Sequence, residues 1–115
     1  MRRGEIWLVD LEPVQGAESN KRRPAVIVST DRANARAAQL GRGVVTVVPV
    51  TSNVSRVLPF QVLLPADDTG LRVDSKAQAE QVRSVDLARL SVRIGRTPPG
   101  LISALSEALR LHLDL

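Results

Sequence analysis

Two short segments of the chain carry residue types suited to binding a phosphate group. Arg23 precedes Pro24, and a proline restricts the preceding residue to extended backbone. The Arg23 side chain therefore leaves a rigid anchor where a polar loop meets a buried strand. Such a guanidinium suits a phosphate clamp, although an ordinary surface arginine could also stand there. Thr51 follows Pro49-Val50 at the end of a strongly strand-forming run, where its hydroxyl could point into a groove or simply serve a turn.

Two carboxylates and one imidazole are further candidates for proton transfer. Glu18 lies in the polar loop, and Glu80 stands beside Gln81 and Arg83. Either carboxylate could accept a proton, and either could equally form a salt bridge with one of the many arginines. His112 is the only histidine of the chain. Its place near the C-terminus, in the apolar stripe of a predicted helix, favours a packed or surface-facing side chain over a general base.

The balance of charges favours a polyanionic partner. The formal net charge is +4, and every basic residue except Lys21 and Lys76 is an arginine. Arginine presents a planar fork that binds phosphate through two hydrogen bonds, whereas lysine is a hydrated point charge. A codon bias towards arginine would give the same composition. Because Trp7 and Phe60 are the only aromatic residues, contact with a nucleic acid would depend on arginine and backbone rather than on stacked rings.

Several classes of protein are disfavoured by what the sequence lacks. It contains no P-loop, no glycine-rich dinucleotide turn and no histidines clustered with carboxylates at metal-ligand spacing, so we expect neither a cofactor nor a metal. The absence of cysteine removes disulfides and thiolate nucleophiles. No apolar run approaches the length of a membrane span, and no signal-peptide core follows the basic start. We therefore expect a cytoplasmic protein with no membrane partner.

The elements that must position these residues are short strands within one domain, residues 1–115. Apolar and β-branched runs predict strands over residues 5–11, 25–29, 44–50, 60–64, 73–82 and 91–94. A polar loop is predicted over residues 12–22, one helical turn near 86–90, and a short helical turn within 31–40 that is capped by Asp31 and ended by Gly41.

The last part of the chain predicts an amphipathic helix. Thr97-Pro98-Pro99 offers a hydroxyl cap and a proline in the first turn, and apolar residues then recur at Leu101, Leu105, Ala108 and Leu109. Several short strands with one terminal helix predict a mainly β (α+β) protein. We expect a small, strongly bent barrel whose open face is covered by the helix.

Five segments, taken together, occur in an order and spacing that coincidence explains poorly. They are Gly4–Asp10 (GEIWLVD), Gly16–Glu18 (GAE), Arg23–Val28 (RPAVIV), Val48–Thr51 (VPVT) and Glu80–Arg83 (EQVR). The chain in this respect resembles the MazF, PemK and Kid family of type II toxin–antitoxin endoribonucleases. No single segment is specific, but the resemblance spans essentially the whole chain and includes the closing helix.

The resemblance implies an SH3-like barrel of the CcdB/MazF type that forms a symmetric homodimer. Such toxins bind single-stranded RNA in the groove between the subunits and cut short sequence motifs of mRNA without a metal. Toxins of this kind inhibit cell growth. A MazE-like antitoxin, whose disordered segment folds across the groove, would inhibit the protein and so relieve that effect. By position, Arg23 matches the family's catalytic arginine before proline, and Thr51 matches its catalytic threonine.

The resemblance also implies a set of RNA-binding or supporting residues around these two. Glu18 matches a common loop acid and would position the substrate. Certain relatives use a carboxylate with an arginine two residues before it; here Glu80 keeps the acid, but Gln78 occupies the place of the arginine. A role for Glu80 as base stays open. The remaining supporting candidates are Asn20, Lys21, Arg22, Ser52, Asn53 and Arg83.

Two other functions fit a barrel of this type. CcdB-type toxins share the fold but poison DNA gyrase through a C-terminal Trp-Gly-Ile; this chain ends in the residues LHLDL, and its one tryptophan is Trp7. A catalytically inert relative would bind RNA without cutting it. The nuclease needs the fewest residues, because the ribose 2′-hydroxyl is itself the nucleophile and the protein has only to align it, stabilise charge on the phosphate and assist proton transfer.

Overall fold

The computed structural model describes residues 1–11 and 22–115. Three of the predicted RNA contacts, Glu18, Asn20 and Lys21, lie outside the described residues. The described elements are β1 (Glu5–Asp10), β2 (Arg22–Ile27), α1 (Asp31–Leu40), β3 (Val44–Thr51), β4 (Gln61–Leu64), α2 (Ala66–Thr69), β5 (Ser75–Gln78), β6 (Arg83–Asp86), β7 (Leu90–Arg96) and α3 (Pro99–Leu113). Short 3₁₀ turns occupy Ala79–Gln81 and Leu87–Arg89.

Strand β3 is the centre of an antiparallel sheet in the order β4-β5-β3-β2-β1-β7. It pairs with β2 along its middle, with β6 at its start, where Val44 faces Asp86, and with β5 at its end, where Thr51 faces Lys76. One long strand that changes partners along its length bends the sheet. The prediction of a mainly β protein with a closing helix is confirmed. Within the described residues no helix is long and apolar enough to span a membrane.

Both faces of the central strands are buried, which explains their nearly continuous apolar runs. Because side chains alternate along a strand, Val26 and Val48 lie on the face covered by Leu105 and Ala108 of α3. Ala25, Ile27, Val45 and Val47 lie on the other face, in a second cluster with Val9, Leu11 and Val85. The two clusters together hold the ends of β2 and β3 in a fixed position.

Helix α1 is longer than predicted and has a different cap. It runs for a full ten residues, and the hydroxyl of Thr30, not the carboxylate of Asp31, accepts a hydrogen bond from the Ala33 N–H at 3.2 Å. The Asp31 carboxylate instead accepts a hydrogen bond from the Arg3 N–H at 2.7 Å. Gly41 ends the helix as predicted, at a φ of 67° that favours glycine.

The predicted cap of the last helix is also wrong. Helix α3 begins at Pro99 after Pro98, which has no side-chain acceptor, and the Thr97 hydroxyl is buried without a hydrogen-bond partner. The predicted strand over residues 73–82 is shorter, because the backbone turns at Ala79 into a 3₁₀ turn. Neither α2 nor β6 was predicted, since four residues give too little periodicity to recognise.

Glu5 stabilises the start of β1 by accepting several hydrogen bonds. Its Oε1 accepts hydrogen bonds from the Arg2 N–H at 2.9 Å and from the Trp7 indole N–H at 3.0 Å. Burial is the largest single influence and raises the pKa of this carboxyl. The hydrogen bonds from Trp7 and Arg2, with the charges of the Met1 amino group and Arg93, together outweigh it, so the pKa is lowered from 4.5.

We expect Glu5→Gln to reduce the free energy of unfolding by about 1 kcal/mol at neutral pH, because charge-assisted hydrogen bonds are lost. A lowered pKa in the folded state gives stability that is present above 4.5 and is lost as the pH falls through the folded value. The difference between wild type and variant in urea unfolding should therefore vanish at acid pH. Glu107→Gln, at an exposed carboxylate of α3, serves as control; an equal pH dependence there would contradict the assignment to Glu5.

Candidate active site

A pocket of about 600 Å³ lies where β2 begins and β3 ends. The register of the two strands brings these ends together: Ala25 faces Pro49, and continuing that register by two residues sets Arg23 level with Thr51. The pocket is lined by Leu8, Arg22, Arg23, Pro24, Val50, Thr51, Ser52, Gly70, Leu71, Arg72, Val73, Ser75 and Ile94. The two residues that the sequence singled out for catalysis therefore share one cavity.

Arg23 lies within strand β2 rather than just before it. The strand begins at Arg22, three residues before the predicted start at residue 25, and Arg23 faces Val9 of β1. The pairing with β1 fixes the Arg23 backbone on one side. Its side chain is partly buried at the pocket wall. Arg22, its exposed neighbour, lines the same pocket.

The Thr51 hydroxyl is oriented by the turn that follows it. Its Oγ1 accepts a hydrogen bond from the Asn53 N–H at 3.3 Å. A hydroxyl that accepts one hydrogen bond still has its own proton to donate. The backbone of Thr51 is held by pairing with Lys76 of β5, and the ammonium of Lys76 donates in turn to the Arg56 carbonyl of the following loop. The position of Thr51 is thus fixed from two sides.

The pocket is cationic. Three arginines line it, Arg22, Arg23 and Arg72, and no aspartate or glutamate of the described residues does. Such a site attracts anions, and guanidinium groups match the geometry of phosphate oxygens. Arg72 was not among the residues that the sequence indicated, because it lies in the connection between β4 and β5, which carries no recognisable motif.

The other supporting residues are divided by the structure. Ser52 lines the pocket, whereas Asn53 and Arg83 do not. The Asn53 amide oxygen accepts a hydrogen bond from the Ser55 hydroxyl at 2.9 Å, so this side chain shapes the loop. The Arg83 guanidinium donates to the Leu11 carbonyl at 3.4 Å.

Glu80 lies away from the pocket lining. Its Oε2 accepts a hydrogen bond of 2.6 Å from the Gln61 amide, and its Oε1 is buried without a hydrogen-bond partner. The Gln78 amide oxygen is also buried without a partner. In the part of the chain that the structure describes, no group of three acidic, histidine or cysteine side chains could hold a metal ion.

The sheet and the pocket define the class of protein: an SH3-like barrel closed by a C-terminal helix, with a pocket lined by arginines where two central strands meet. Residues 2–113 match the model of the PemK-like, MazF-like toxin of type II toxin–antitoxin systems. The chain belongs to this family, and the resemblance noted in the sequence is confirmed.

Individual relatives agree with the family assignment. The chain is 64% identical over 115 residues to Endoribonuclease MazF9 of Mycobacterium tuberculosis, a match that covers 100% of this chain and 98% of the relative. The crystal structure of MazF from Deinococcus radiodurans superposes with a TM-score of 0.83 at 27% identity, covering 100% and 97% of the two chains. A mycobacterial endoribonuclease solved with its cognate antitoxin shares the fold at a TM-score of 0.79 and 23% identity, covering 100% and 96%.

Proposed function

We propose that this protein is the toxin of a type II toxin–antitoxin system and acts as a sequence-specific endoribonuclease on single-stranded RNA. The observation that carries the proposal is the meeting of Arg23 and Thr51 in one cationic pocket. The proposal is supported by the relatives, since an endoribonuclease that is 64% identical to this chain matches it over its full length.

In the proposed reaction the ribose 2′-oxygen attacks the adjacent phosphorus. A bond forms between O2′ and phosphorus, the bond from phosphorus to O5′ breaks, and the products are a 2′,3′-cyclic phosphate and a 5′-hydroxyl. The 2′-hydroxyl loses one proton and the leaving O5′ gains one, so the reaction is balanced and needs neither a metal nor a covalent protein intermediate.

Arg23 and Thr51 would stabilise the charge that develops on the phosphate. The guanidinium holds two non-bridging oxygens, and the Thr51 hydroxyl donates one further hydrogen bond. Because a guanidinium stays protonated, Arg23 acts as a donor and not as the base. Glu80 is a poor candidate for the base, because its oxygens lie against Gln61 and within the protein rather than in the pocket lining.

The partners in this proposal are a second copy of the chain and an antitoxin. A symmetric homodimer would extend the pocket into a groove for the RNA strand. A MazE-like antitoxin with a disordered acidic segment would fold across that groove and block the arginines. The related mycobacterial endoribonuclease that was solved with its cognate antitoxin supports the antitoxin as a partner.

The test is cleavage of single-stranded RNA by the purified protein in excess chelator. We expect fragments whose 5′ ends are hydroxyls, which a polynucleotide kinase labels without prior phosphatase treatment. Thr51→Val removes the hydroxyl at nearly constant volume and should lower the cleavage rate by about 10- to 100-fold, the value of a hydrogen bond to a charged group.

Thr46→Val is the matched control, because Thr46 lies on the same strand outside the pocket, with its hydroxyl 3.4 Å from that of Ser84. It should cleave at the wild-type rate. RNA that is bound but never cut would identify the inert alternative, and equal rates for the two valine variants and the wild type would remove Thr51 from the site.

A further inference from the structure

The connection between β4 and β5, residues 65–74, forms a second wall of the pocket, and we call it the 65–74 arch. Hydrogen bonds close it on itself: the Thr69 hydroxyl donates to the Pro65 carbonyl at 2.8 Å, and the Ala66 N–H donates to the Asp74 carboxylate at 2.8 Å. Leu71 anchors it in the main core with only 8% of its surface exposed. The arch is thus a fixed part of the site.

Arg72 lies on the 65–74 arch. It follows the buried Leu71 directly, its side chain is exposed, and it lines the pocket. No hydrogen bond or ion pair joins it to any residue that the structure describes. The nearby Asp74 carboxylate already accepts from the Ala66 backbone. Within residues 1–11 and 22–115, Arg72 therefore has no partner for its guanidinium, and it lies on an element different from the one that carries Arg22 and Arg23.

We propose that Arg72 binds a second backbone phosphate of the RNA strand, next to the phosphate that Arg23 holds. The inference rests on the proposed function for its ligand and adds a contact to it. A cavity of about 600 Å³ is far larger than one phosphate group and falls within the size range of sites that enclose whole small molecules. Because an RNA strand carries one charge per nucleotide, a segment that fills the pocket brings more than one phosphate to its three arginines.

The number of phosphates bound can be measured from the dependence of the affinity on salt concentration. For a single strand, the slope of log affinity against log salt concentration is about −0.7 for each phosphate that is neutralised. The probe is a mixed-sequence, fluorescently labelled 12-nucleotide DNA strand, which lacks the 2′-hydroxyl and cannot be cut. Arg72→Gln should make the slope shallower by about 0.7 and weaken binding at low salt by about tenfold. Arg72→Lys keeps the charge and should keep the slope.

Arg42→Gln is the matched control, because Arg42 is exposed beyond the other end of β3 and does not line the pocket. It should leave the slope at the wild-type value. An unchanged slope in Arg72→Gln overturns the inference, and so does an equal change in Arg42→Gln, which would reflect only net charge. A loss that depends on base sequence at constant slope would assign Arg72 to a base and also overturn it.

The same experiment separates this inference from the proposed function. If the wild type cuts RNA and Arg72→Gln keeps the full slope, only the second phosphate contact is wrong. If the wild type cuts no RNA but the slope changes as expected, the endoribonuclease proposal fails while Arg72 stands as a contact to a nucleic-acid backbone.

Discussion

Arg23→Ala is expected to lower the rate of RNA cleavage by about 10² to 10³, the effect of removing one preorganised donor from a developing oxyanion. The affinity for the uncleavable DNA strand should change far less, because two other arginines still line the pocket. In the proposed reaction the Arg23 guanidinium meets a phosphate that is more negative in the transition state than in the bound substrate, so its removal should raise the barrier more than it weakens binding.

Single-turnover cleavage at saturating protein is the measurement for Arg23, since it reports the chemical step apart from binding. Arg23→Lys keeps the charge but loses the planar fork, and should recover only part of the rate. Arg36→Ala, at an exposed position of α1 outside the pocket, is the control and should cleave like the wild type. Wild-type cleavage by Arg23→Ala would remove this residue from the catalytic centre.

The sequence alone could predict the strands and the positions of the two central residues along them. The strand-forming run that ends at Thr51 and the proline after Arg23 were both visible locally. The distance between Arg23 and Thr51 could not be predicted locally, because it depends on the antiparallel register that sets Ala25 against Pro49. The resemblance to known toxins implies that Arg23 and Thr51 act at one site, and the strand register explains why they lie together.

Arg72 could not be found in the same way. Its place in the pocket depends on the 65–74 arch folding back against β7, a contact between segments far apart in the chain. The local signals near it were weak, since α2 has only four residues and β5 is shorter than the strand predicted over residues 73–82. The cap of α3 was mispredicted for a different, local reason, because Pro98 and Pro99 follow Thr97 and have no backbone N–H for its hydroxyl to accept from.

Gly95→Ala should be the most destabilising of these substitutions. A Cβ at Gly95 of β7 would lie 2.0 Å from the Thr69 carbonyl oxygen, a backbone atom that cannot move without the 65–74 arch. We expect a loss of about 3 kcal/mol or more in the free energy of unfolding, as for severe overpacking. In a domain of this size, that corresponds to a fall in Tm of more than about 10 °C.

Gly100→Ala provides the contrasting control for this prediction. A Cβ at Gly100 meets no atom within 4 Å, and alanine is a better helix former than glycine at this position in α3, so stability should stay equal or rise. A Tm of Gly95→Ala within about 2 °C of the wild type would contradict the close approach of the arch to β7.

The same close approach links the stability of the barrel to the proposed binding of nucleic acid. If Gly95→Ala still folds at low temperature, the arch and β7 must have moved apart, and we expect Arg72 to be displaced with the arch. The salt slope for the DNA strand should then become shallower by about 0.7, as in Arg72→Gln, although no arginine has been changed. A folded Gly95→Ala protein with the full slope would show that the arch does not set the position of Arg72.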